Sequence, residues 1–128
     1  DSLAEFYLNK GDFDKALKCS NKSIAIANEL DDKYRQGVSL CNNGVIFHNK
    51  GKYEEGLENY QMSLEIHEKI GDKDGIAVAL CNIGIVYTLK CDFNKAQKYL
   101  QRSIEVQNSL GIKWLELESV VFVIEQES

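Results

Sequence analysis

Two short runs hold side chains able to do chemistry. One is Leu40-Cys41-Asn42 with His48 behind it, and the other, forty residues on, is Leu80-Cys81-Asn82. A cysteine near a histidine is the start of a nucleophile–base pair, with Cys81 attacking and His48 taking the proton. The other parts of such a site are missing: no third group stands ready to orient the imidazole, and no glycine-rich loop is shaped to cradle a phosphate. Asparagine offers a different chemistry. Its amide both donates and accepts, so it can pair with the N–H and C=O of a peptide whatever side chains that peptide carries. Asn42 and Asn82, equivalent in spacing, could form a short ladder along an extended ligand; the alternative is that each bonds to the backbone of the fold itself. His48 could add a pH-sensitive donor or make a structural bond.

The remaining composition excludes several classes. Cys19, Cys41, Cys81 and Cys91 are too far apart for the close ligand pairs of a zinc site, so neither metal nor cofactor is expected. They read as small, half-buried thiols of a reducing, cytoplasmic compartment. A net charge of −5 argues against nucleic acid and anionic membrane as partners. No apolar run approaches the roughly 20 residues of a membrane span. The first residue is Asp1 rather than Met, which suggests a segment of something longer.

What must position these residues is a repeat. Residues 11–50 laid over 51–90 match at Gly11/Gly51, Leu17/Leu57, Ser23/Ser63, Leu40/Leu80, Cys41/Cys81, Asn42/Asn82 and Gly44/Gly84, with Phe13/Tyr53 and Phe47/Tyr87 conserved in kind. A third copy begins at Cys91, keeps Phe93, Ala96, Ser103 and Ile104, and drifts after Gly111. Tyr53, Leu57, Tyr60 and Leu64 form one helical stripe, and Ala77, Leu80, Gly84 and Tyr87 another. Zero prolines allow long helices, and glycine supplies the stops. Gly71 would end one helix, Asp72 or Asp74 would cap the next, and Gly11 and Gly51 would make tight turns. Cys91, in place of that glycine, predicts a less constrained turn. Seven helices are expected, near 2–10, 13–30, 34–50, 54–70, 74–90, 93–110 and 113–127. The last contains the β-branched run Ser119–Glu125, which the repeat register assigns to helix.

This layout resembles the tetratricopeptide repeat family. The small residues of a first helix and the alanine and aromatic of a second appear in Leu80, Gly84, Tyr87, Phe93, Ala96 and Ser103, and one repeat earlier in Leu40, Gly44, Phe47, Tyr53, Tyr60 and Ser63. The 40-residue period and the missing proline depart from the common 34-residue form. They are closer to the long-repeat branch, as in spindle-orientation scaffolds that bind Gα subunits and, more distantly, kinesin light chains. The resemblance implies an all-α, right-handed superhelical solenoid of antiparallel helix pairs, a single domain over 1–128 with repeats near 1–30, 34–70 and 74–110. It implies first helices lining a concave groove. The groove-facing offsets are then Cys41, Asn42, Val45, His48 and Asn49, and Cys81, Asn82, Ile85, Thr88 and Leu89. None is Lys or Arg, so the basic clamp of chaperone adaptors is missing, and a peptide with apolar anchors, extended or helical, suits this floor better than an acidic tail. The expected function is non-enzymatic binding of a partner protein's peptide segment. The alternative is a structural segment of a larger scaffold, forming a homodimer through residues 113–127, whose apolar residues run nearly all round the helix.

Overall fold

The computed structural model describes residues 2–111, and within them the chain is a helical solenoid without strands. Six helices follow one another: α1 Ser2–Asn9, α2 Phe13–Glu29, α3 Lys33–Asn49, α4 Tyr53–Ile70, α5 Lys73–Leu89 and α6 Phe93–Leu110. The second helices of the pairs start at Phe13, Tyr53 and Phe93, and the first helices α3 and α5 at Lys33 and Lys73, so the sequence period is also the structural one. The helix expected at 113–127, and the dimer contact assigned to it, lie outside the described residues.

Local chemistry sets the boundaries. Asp12, Asp32 and Asp92 cap α2, α3 and α6, each accepting from the backbone N–H three residues on. Such a cap contributes about 1 kcal/mol by satisfying an orphan donor. Gly71 and Gly111 close α4 and α6 in the left-handed conformation, at φ of 70° and 71°. Cys91 departs from expectation. It keeps the turn that Gly11 and Gly51 make, at φ 61° against their 77° and 81°. The thiol-bearing residue therefore accepts a strained backbone, and the turn is not relaxed.

Packing follows small-against-large exchange. A methyl group on Gly44 would come within 2.5 Å of the Tyr60 ring, and one on Gly84 within 2.6 Å of Leu100 Cγ. The first repeat has Ala4 and Ser20 at the corresponding positions, both buried. Serine recurs for a separate reason: Ser63 Oγ donates to the Gly37 carbonyl at 2.7 Å, and Ser103 Oγ to the Ala77 carbonyl at 2.8 Å. Each hydroxyl thus ties a second helix to its own first helix. The main core gathers Leu57, Tyr60 and Leu64 of α4 against Ala79, Leu80, Ile83 and Val86 of α5. Ile83, with no exposure, contributes about 2 kcal/mol by burial. It lies off the single stripe read from sequence, because α5 packs on helices of two repeats.

Candidate functional site

The ten expected groove positions all lie on α3 and α5, and they range from half-buried, as at Cys41, Cys81 and His48, to exposed. Their roles differ. Val45 and Cys41 pack at the edge of the main core, and Cys81 at the edge of the α6 cluster. Ile85 and Leu89 are exposed. Asn49 Nδ2 donates to its own helix at the Val45 carbonyl (2.7 Å), and Thr88 Oγ1 does so at the Gly84 carbonyl (2.9 Å). His48 turns toward its repeat partner helix, with Nδ1 3.3 Å from the Tyr60 hydroxyl. That is the structural bond weighed above as its alternative role.

The two asparagines are not equivalent in use. Asn82 Nδ2 reaches back across the repeat boundary to Cys41 Sγ at 3.5 Å, a weak acceptor. The Asn42 amide has no hydrogen-bond partner among the described residues. It lies in a cleft between α3 and α5 with Cys41, Val38 and Val78.

The electrostatics oppose nucleophilic chemistry. Burial pushes the Cys41 thiol up to about 11, with the Asn82 bond acting the other way. Burial also raises Cys81 and lowers His48. Tyr60, between these groups, is raised by burial first and then by the two nearby thiols. A nucleophilic cysteine needs a stabilised thiolate, and these sites disfavour one. Among the described residues, no group of three or more His, Cys, Asp or Glu could hold a metal ion, and no helix is long and apolar enough to cross a membrane.

Sequence reasoning missed two features. Asn43, one residue beyond Asn42, is buried and donates to Asn21 Oδ1 at 3.1 Å, joining α3 to α2. His67 on α4 is 2% exposed and wedged between Gly37 and Gly75. The available signal was the repeat column itself: His67 stands where the neighbouring repeats have Ala27 and Gln107, and Gly75 where the preceding repeat has Arg35.

Comparison with known proteins bears on the fold. The chain is similar to BtubC (BKLC) from P. vanneervenii, with a TM-score of 0.80 and 23% identity over 95% of this chain and 50% of that one. It therefore spans about half the length of that relative. It is also similar to the N-terminal domain of stress-induced protein-1 (STI-1) from C. elegans, with a TM-score of 0.74 and 22% identity over 97% of this chain and 90% of that one. At these identities the likeness shows the fold alone. No curated protein matches the sequence. The profile of the tetratricopeptide repeat matches residues 35–109, and a second profile of the same repeat matches residues 2–30. Together these matches span more than half of the sequence, and the chain belongs to the tetratricopeptide repeat family.

Proposed function

We propose that the chain is a non-enzymatic protein-interaction module whose α3 and α5 hold an extended peptide segment of a partner in the concave groove. Tetratricopeptide repeats are in general protein-interaction modules, which sets the class. One observation carries the finer reading: the Asn42 amide is unpaired among the described residues, on a face where none of the ten positions is charged. Such an amide is free to take a peptide N–H or C=O. Asn82 would join it by exchanging its weak sulfur contact for a peptide oxygen. The 40-residue spacing supports placing the chain with the long-repeat branch, and the free cysteines suit a cytoplasmic setting.

Selection of extended peptides from a displayed random library tests this. Selected peptides should lose affinity for a folded Asn42→Ala/Asn82→Ala variant. A library that yields no binder, or only binders indifferent to both asparagines, rejects the groove.

A further inference from the structure

The junction between α4 and α5 is built unlike its neighbours. Asp72 stands at the N-cap of α5, yet its side chain makes no capping bond, whereas Asp12, Asp32 and Asp92 all do. Instead its Oδ2 lies 3.1 Å from His67 Nδ1. That nitrogen is buried and has no hydrogen bond of acceptable alignment, Asp72 included, so the contact is one of proximity. The ring fits only because two residues lack side chains: a Cβ on Gly37 or Gly75 would come within 2.6 or 2.4 Å of it. The repeat positions equivalent to Gly37 and Gly75 are Ala77 and Arg35, which would not admit it.

The result is a cleft of about 230 Å³ beside Asn42, with His67 in its wall. Asp72 and Asp74 both line it, and no Lys or Arg does. Nearby cations are directed elsewhere. Arg35 is 3.7 Å from Asp32, and Lys33 is 3.1 Å from Asp31. Lys73, between the two acids in sequence, is not part of the lining. Val38 and Val78 supply apolar wall, and Tyr34 a largely exposed ring at 59%. Two carboxylates, an aromatic ring and an aliphatic wall are what a long cationic side chain requires: acceptors and a π face for the head, and apolar contact for the stem.

We propose that this cleft receives a lysine or arginine side chain of the bound peptide. Asp74 and Asp72 hold the cation, and the neighbouring Asn42 holds the peptide backbone. The inference rests on the groove reading above and specifies the ligand's chemistry. His67 lines the cleft beside the Asp72 carboxylate, which makes no capping bond to α5.

The test begins without a peptide. The ¹⁵N-labelled chain is titrated with n-butylguanidinium, and with n-butanol as a neutral control of similar stem. Saturable shifts are expected at the amides of Val38, Asn42 and Gly75 with the cation only. Asp74→Asn, an exposed change, should weaken that binding about tenfold with thermal melting retained. Tyr34→Ala should weaken it too, which guards against a folding effect in one variant. No saturable shift, equal response to butanol, or indifference to Asp74→Asn would overturn the proposal. The displayed library is then read for position. Peptides that need Asn42 and Asn82 but show no fixed basic residue would keep the groove and reject the cationic anchor. Cation binding with no selectable peptide would reject the assignment of this cleft to a peptide.

Discussion

Ser103 Oγ donates to the carbonyl oxygen of Ala77 at 2.8 Å, fastening α6 to α5 through a buried side chain. Gln107 Nε2 in turn donates to the same hydroxyl at 3.0 Å. Ser103→Ala removes both bonds at this hydroxyl. A loss of about 1–3 kcal/mol is expected, read as a lower urea midpoint with unchanged slope.

Gly84 faces Leu100 with no room for a side chain: an added Cβ would lie 2.6 Å from Leu100 Cγ and 3.3 Å from its backbone nitrogen. Gly84→Leu should cost at least about 1–3 kcal/mol by overpacking. In a double-mutant cycle, Leu100→Ala should recover part of the loss caused by Gly84→Ala, because the two residues share one space. Strict additivity would show that the helices are held apart by other contacts.

Asn42→Ala with Asn82→Ala should leave folding nearly intact, since neither amide is bonded to backbone in the structure and Asn82 loses only its contact with Cys41 Sγ. Binding of a selected peptide should weaken by roughly 1–3 kcal/mol, measured by calorimetry on the folded variant. A drop in melting temperature without a change in affinity would make the asparagines structural.

Thiol reactivity supplies a pH test. Cys91 is exposed, while burial holds the Cys41 thiol at about 11 against an ordinary 9.0. Below both values the folded chain has about 100-fold less Cys41 thiolate than an unperturbed thiol would. Iodoacetamide at pH 8 should therefore mark Cys91 well before Cys41, by peptide mass spectrometry. Raising the pH toward 11 should speed Cys41 as its thiolate forms. Equal labelling at pH 8 would contradict the burial described.

Legibility in the sequence followed repetition. Each helix pair solves the same packing problem, so Gly44 with Tyr60 and Gly84 with Leu100 left a visible period. Ile83 and Val86 were less visible because α5 is covered from two sides, which blurs a single stripe. The positive φ at Cys91 is not legible from residue type, which points to a relaxed turn. Of the candidate site, the placement of its residues on two first helices was legible and their hydrogen bonding was not. Asn42 and Asn43 are adjacent letters, yet one lines a cleft and the other is buried against Asn21. His67 broke the repeat pattern. Its meaning depended on two glycines in other helices, a relation that no local period encodes.

The wedge of His67 between Gly37 and Gly75 also bears on elasticity. A stacked solenoid bends by small rotations of each repeat against the next, like the turns of a spring. At the second junction the imidazole touches both α3 and α5, so any opening there must break contacts on two sides of a rigid ring. At the first junction the equivalent residue is Ala27, which offers no such ring. The two junctions therefore resist opening by different means: a ring wedged between two helices beside Asn42, and side-chain hydrogen bonds from Asn43 to Asn21 and from Gln36 to the Ala27 carbonyl toward the N-terminal repeat.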